Sequence, residues 1–265
     1  MVNRNHDESR SPRVGLFVTC LVNAMRPSVG FSAMELLERA GCTVVAPTNQ
    51  TCCGQPGFNS GDFKNSRKIA RQVIGAFEHF DYVVVPSGSC AGMIARHYPT
   101  GLFGEDEAWG GRARRLAEKT YELTGFLTDV MAFSPPEPLH DFSHLHVTYH
   151  DSCSCLREMK VKSQPRELLK TLCNIDVDEM VDTDVCCGFG GSFSVKMPQV
   201  SAGVADKKIE NALATGADMM LAADMGCLLH LAGRLKRRGE SLEVRHVAEV
   251  LAGRIDGPAI GEEVG

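Results

Sequence analysis

Cys186-Cys187-Gly188-Phe189-Gly190-Gly191, together with its earlier echo Cys52-Cys53-Gly54-Gln55-Pro56-Gly57, decides how this chain is read. Adjacent cysteines do not readily bond to each other. Two thiolates at one turn, with glycine behind them to let the backbone bend, can instead grip a metal or cluster whose other ligands arrive from elsewhere. The flanking spacing points the same way. Thirty-one residues separate Cys20 from Cys52 and 36 separate Cys53 from Cys90; 32 separate Cys153 from Cys186 and 39 separate Cys187 from Cys227. The same four-cysteine frame therefore occurs twice. Its offset drifts only from 133 through 134 to 137 residues, as in a duplicated unit with small loop insertions.

A chain of 265 residues can bury one large core or two modest ones, and the duplication predicts two. A net charge of −5, with no Lys/Arg run interleaved with aromatics, argues against nucleic acid as the partner. Residues 1–13 are polar and lack the apolar stretch of a secretory signal, so they read as a flexible tail, as do residues 254–265. The apolar stretch Met219 to Leu235 is interrupted by Asp224 and His230, which argues against a membrane span. A cytoplasmic protein is expected. There thiols stay reduced, so paired cysteines read as metal or redox ligands before they read as disulfides.

Working outward from the two CC pairs, each half follows one plan. Val14 to Val18, Cys42 to Ala46 and Tyr82 to Val85 are short apolar runs of the kind that form buried parallel strands. Between them, Phe31, Met34 and Leu37, then Ala70, Val73, Ile74 and Phe77, recur at helical spacing. The second half repeats this with strands at His146 to His150, Val177 to Met180 and Asp218 to Ala223, and helices at Gln164 to Leu172 and around Ala205 to Leu213. Tyr121 to Met131 and Val244 to Ala252 read as matching amphipathic helices. The expected fold is α/β: two tandem Rossmann-like lobes, residues 14–133 and 145–253, joined by a Pro-rich linker at 134–144. In each lobe a mostly parallel sheet carries a four-cysteine site at the C-terminal ends of its strands, where loops and helix N-termini converge.

The stretches TCCGQP, VPSGSC, YHDSC, QPRELL, DVCCGFGG and SFSVKMP closely resemble the cysteine-rich CCG-domain proteins of the lactate utilization protein A family, along nearly the whole span from Val14 to Ala252. More distantly the chain is similar to the glycolate oxidase iron-sulfur subunit and to the cysteine-rich subunit of heterodisulfide reductase. The resemblance implies a cytoplasmic iron-sulfur electron-transfer subunit of an oxidoreductase that oxidises L-lactate, a 2-hydroxy acid, to pyruvate. It also implies a ferredoxin-type iron-sulfur partner and a third lactate-utilization protein. The small substrate would be handled at the level of the complex, and the chain is a subunit rather than a complete enzyme. Cys20, Cys52, Cys53, Cys90, Cys153, Cys186, Cys187 and Cys227 become the cluster ligands. In heterodisulfide reductase the corresponding frame ends in CxxC and so supplies a fifth thiolate, but the matching positions here are Met93 and His230. Four thiolates per site fit an ordinary 4Fe-4S cluster in each lobe.

Several alternatives stay open on the residues alone. Four thiolates also make a closed zinc site, so zinc at one site, or a zinc-stabilised interaction module, competes with iron. A heterodisulfide or thiol-disulfide reductase is a further reading. His230, at i+3 from Cys227, and Cys155, two residues after Cys153, are weaker ligand candidates whose alternative is packing. His150 and Asp151 can serve the second cluster or merely hydrogen-bond in the fold, and Lys196 can meet an acidic partner or simply face solvent. Cys42 and Cys173 fall off the frame and read as core. Neither GxGxxG nor a Walker sequence is present, so no nucleotide is expected.

Overall fold

Seven short strands carry the architecture of the computed structural model, which describes residues 10–262. In the first lobe β1 (Arg13–Leu16), β2 (Thr43–Val45), β3 (Tyr82–Val85) and β4 (Thr120–Glu122) form a parallel sheet in the order β2-β1-β3-β4. In the second, β5 (Val147–Tyr149), β6 (Met219–Ala222) and β7 (Glu243–His246) are parallel in the order β5-β6-β7. The expected strand at Val177 to Met180 reduces to one parallel bridge, Val177 to Val147, on the free edge of β5. That bridge takes the place β2 holds beside β1, so both lobes share one strand order, as duplication requires.

The expected helices at Tyr121 to Met131 and Val244 to Ala252 each begin instead as an edge strand. Thr120 and Tyr121 are β-branched and aromatic and extend along β3, and Val244 and its neighbours extend along β6. Helix starts only where a side chain can cap it. Glu122 accepts from the Thr124 and Gly125 amides, and His246 Nδ1 accepts from the Ala248 amide at 3.1 Å.

The expectation of two separate cores is overturned. One apolar cluster runs through both lobes, joining Val14, Leu16, Val84, Leu123 and Phe126 of the first to Leu221, Leu228, Val247 and Val250 of the second. A smaller cluster, with Phe17, Val83 and Val85 beneath the Phe63–Phe77 helix, fills the opposite face of the first sheet. Alternation along the strands explains this: Val84 points into the shared core while Val83 and Val85 point away from it. The linker is pinned too, with the His140 and Phe142 amides donating to the Leu172 and Cys173 carbonyls. Beyond residue 253, Ala259 and Ile260 are buried and the Ile260 amide bonds the Val244 carbonyl, so residues 254–262 pack on the second lobe rather than forming a free tail. The expected tail residues 1–9 and 263–265 lie outside the described residues. Among those described, no helix is long and apolar enough to cross a membrane.

Polar groups close the interface between the lobes. Ser87 and Asp224 occupy the same position in the two repeats, three residues before Cys90 and Cys227. Asp224 is buried, and its carboxylate accepts from Ser87 Oγ, Ser89 Oγ and Ser152 Oγ, each at 2.6 Å, and from the Ser89 amide. Buried Glu249 accepts from Arg26 Nε at 2.8 Å and Ser28 Oγ at 2.6 Å. With Nδ1 of His246 already an acceptor, its Nε2 carries the proton and donates to the Pro86 carbonyl.

Two outcomes follow from this packing. The Gly88–Gly92 helix lies so close to Cys155 that a Cβ on Gly88 would sit 2.3 Å from Cys155 Sγ and 2.7 Å from its amide nitrogen. Gly88→Ala should therefore lower the denaturant midpoint by the equivalent of about 1–3 kcal/mol, since backbone has to move to admit the methyl group. Glu122 is fully buried, and burial raises its carboxyl from 4.5 to about 7 despite the hydrogen bonds it accepts. A carboxyl raised on folding stabilises fully below its unfolded value, and that stability is lost as pH rises through the folded value. Unfolding of the wild type at pH 5 and pH 8 should thus show an added loss on the order of 3 kcal/mol. Glu122→Gln should remove that increment, and an unchanged pH dependence would count against the assignment.

Candidate metal centres

Each framework cysteine sits where a strand gives way to a helix or turn. Cys20 opens the Cys20–Met25 helix just past β1, with Thr19 Oγ1 accepting from the Val22 amide as its cap. Cys90 lies in the Gly88–Gly92 helix past β3, where Ser87 Oγ accepts from the Cys90 amide. Cys153 follows β5, and Cys227 lies in the first turn of the Met225–Arg238 helix past β6. The CC pairs occupy the loops between.

Both CCG turns are built alike. Gly54 and Gly188 adopt φ of +83° and +86°, a region that costs a side-chain-bearing residue energy. Each turn aims the glycine amide back at the first cysteine, Gly54 N to Cys52 Sγ at 3.4 Å and Gly188 N to Cys186 Sγ at 3.3 Å. A serine on the following long helix ties down each glycine carbonyl: Ser66 Oγ donates to Gly54 O at 3.4 Å, and Ser201 Oγ to Gly188 O at 2.8 Å. At Gly188 space also demands glycine, because a Cβ would lie 2.6 Å from the Ser201 carbonyl oxygen.

In the first lobe the sulfurs converge, Cys20 to Cys52 at 3.8 Å and Cys53 to Cys90 at 3.4 Å. Tyr98, fully buried, donates its hydroxyl to the Cys53 carbonyl at 2.8 Å and braces the inner cysteine. In the second lobe Cys187 and Cys227 stand 2.9 Å apart, with Cys153 beside Cys186. Cys53, Cys90, Cys187 and Cys227 are buried, whereas Cys20 is exposed and Cys52, Cys153 and Cys186 are partly so. Each site therefore has a deep pair of thiols and an outer pair that reaches the surface.

The local electrostatics favour one thiolate per site. Hydrogen bonds from Cys20 and Cys53, with the Gly54 amide behind them, pull Cys52 down to about 2; Cys153, Cys187 and the Gly188 amide do the same for Cys186, also to about 2. Their donors are pushed up in turn: Cys20, Cys153 and Cys187 chiefly by the hydrogen bond to the thiolate, with burial adding to it, and Cys53 likewise through Cys52. Four sulfurs with backbone amides directed at them fit a cation-containing group that takes up thiolates, which is the donor chemistry of iron-sulfur and zinc sites alike.

The remaining candidates separate clearly. Met93 is fully buried in the apolar cluster of the first lobe. His230 gives its Nε2 to a hydrogen bond with Ser201 Oγ at 3.2 Å and packs on Phe189, so it braces the CCG turn. Cys155 turns away from the frame toward Asp224, and burial raises its thiol. Cys42 and Cys173 are buried, their thiols raised by burial to about 11 and about 12. Asp151 forms a two-pronged ion pair with Arg166 at 2.8 and 3.0 Å, which locks β5 to the Ser163–Cys173 helix, and Lys196 is exposed. His150 behaves differently. It is fully buried, neither ring nitrogen completes a hydrogen bond, and a ring nitrogen lies within 4.8 Å of both Cys187 Sγ and Cys227 Sγ. Its sequence signal was the YHDSC stretch, where a hydrogen-bonded structural role was the favoured reading.

Residues 14–95 and 147–232 each match the family described as cysteine-rich domain, CCG. The chain is 44% identical over 238 residues to lactate utilization protein A of Shouchella clausii, covering 90% of this chain and 98% of that protein. It is 43% identical over 242 residues to lactate utilization protein A of Bacillus subtilis, covering 91% and 100% respectively. The corresponding protein of a Geobacillus species is 44% identical over 242 residues, with coverage of 91% and 100%. Two tandem matches to the cysteine-rich domain, coinciding with the two four-cysteine sites, and full-length similarity to these relatives place the chain in the CCG cysteine-rich family, among the lactate utilization A proteins.

Proposed function

We propose that this protein is an iron-sulfur electron-transfer subunit acting in lactate utilization, with Cys20, Cys52, Cys53 and Cys90 holding one group and Cys153, Cys186, Cys187 and Cys227 the other. The carrying observation is the pairing of framework thiols in each lobe, Cys20 with Cys52 and Cys53 with Cys90 in the first and Cys187 with Cys227 in the second, with glycine amides directed at Cys52 and Cys186. When bound, a cluster in each lobe supplies one-electron storage. Oxidising lactate to pyruvate releases two electrons and two protons, and two such sites match the electron count. A cluster is a poor hydride acceptor, so the hydride-accepting group belongs to another member of the complex.

The chain's own part is to hold, bury and expose. Deep thiols lie away from solvent, and the outer thiols bring each site to the surface, where electrons can enter or leave. Beside the second CCG turn, Phe193, Val195, Met197 and Val200 are exposed apolar side chains, consistent with docking of a ferredoxin-type partner or a third lactate-utilization protein. A second reading is zinc in one lobe, since four thiolates are also the donor set of a closed zinc site.

Metal analysis of protein purified without oxygen separates these readings. Two four-iron clusters require about eight iron and eight acid-labile sulfide per chain, whereas one structural lobe gives about four iron and one zinc. Zinc alone would overturn the electron-transfer proposal. Cys186→Ser should halve the iron while leaving the first-lobe signal intact; loss of both signals would show that the two sites do not fill independently.

A further inference from the structure

The two cysteine frames are not chemically equivalent. Three residues before Cys20 stands Phe17, buried in the apolar cluster under the first sheet. Three residues before Cys153 stands His150, equally buried but polar. A buried imidazole with neither nitrogen bonded is costly, and buried polar groups normally find partners. The neighbouring groups do not supply one. The Thr183 carbonyl faces the ring without completing a hydrogen bond, Asp151 is occupied by Arg166, and the buried Lys208 ammonium donates to the Asp182 and Thr183 carbonyls. What the ring does meet is sulfur: His150, Cys187 and Cys227 place one nitrogen and two thiols within 4.8 Å of one another. Among the described residues no comparable three-donor set forms in the first lobe.

We infer that His150 is a fifth donor of the second site, ligating the metal held by Cys153, Cys186, Cys187 and Cys227 through an imidazole nitrogen. The inference rests on the metal-binding reading above and adds to it an asymmetry between the lobes. The first site has thiolates alone; the second has thiolates and a neutral nitrogen base. Added to four thiolates, a neutral imidazole leaves the ligand charge unchanged and alters the coordination of one metal atom, so the two sites differ in their donor sets.

The test uses full-length protein assembled without oxygen, labelled with ¹⁵N only at histidine, and chemically reduced so that its clusters are paramagnetic. Electron-nuclear double resonance should show a directly coordinated histidine nitrogen in the wild type. His150→Ala, and His150→Phe, which copies the first lobe, should both lose that coupling and shift one of the two reduction potentials while leaving the other in place. The first-site spectrum should be unchanged in both, which also reports that each variant folds. His230→Ala should keep the coupling, since its ring is committed to Ser201. A wild type with both sites filled and no coordinated histidine nitrogen, or a coupling that survives in His150→Ala, would overturn the inference while leaving the electron-transfer reading standing. Absence of any bound metal on the eight cysteines would overturn both.

Discussion

The Asp224 carboxylate, buried where the two lobes meet, is the interaction on which the rest of this structure depends. It accepts from serines on both sides of the interface, Ser87 and Ser89 beside Cys90 and Ser152 beside Cys153. A buried carboxylate is tolerable only when its lone pairs are filled, and here each hydroxyl that fills them belongs to a cysteine-bearing turn. The requirement to satisfy one charge therefore holds one turn of each metal centre at a shared polar seam. Moving one lobe against the other would expose that charge to unpaired burial, so the lobes behave as one body although they arose as two copies.

Within each lobe a second constraint operates at the CCG turn. Left-handed glycine at position 54 or 188 lets the chain reverse so that neighbouring cysteines face the same point, and it turns an amide toward the first sulfur. The same conformation therefore does two things, gathering ligands and stabilising the thiolate form that ligation needs. Ser66 and Ser201 hold the turns from behind by their bonds to the glycine carbonyls. Repetition of this detail across two lobes shows the duplication at the level of single hydrogen bonds. Departure from it at Phe17 and His150 shows where the copies have taken on different environments.

Much of this was legible in the sequence. The two frames, the parallel strands and the placement of cysteines at strand ends follow from spacing and from short apolar runs, because ligands must reach one point and buried strands must be apolar on both faces. The reading failed where a residue's role depends on a neighbour far along the chain. Tyr121 and Val244 look helical by period, yet each extends because an open strand edge lies beside it. Val177 to Met180 looks like a strand, yet only Val177 finds a partner. Residues 254–262 look like a tail, yet Ile260 finds a buried place against Val244.

The sequence by itself determined that there are two copies, that each carries four cysteines in one frame, and that these cysteines lie at the ends of parallel strands. Those properties are written in spacing and local pattern, which need no knowledge of distant contacts. Only the tertiary structure decided that the copies share a core, that Asp224 binds both cysteine turns, and that His150 rather than His230 faces the deep thiols of the second site. Each of these depends on which groups remain unsatisfied once two sheets have packed together, and burial assigns partners to polar atoms only after the fold has closed around them.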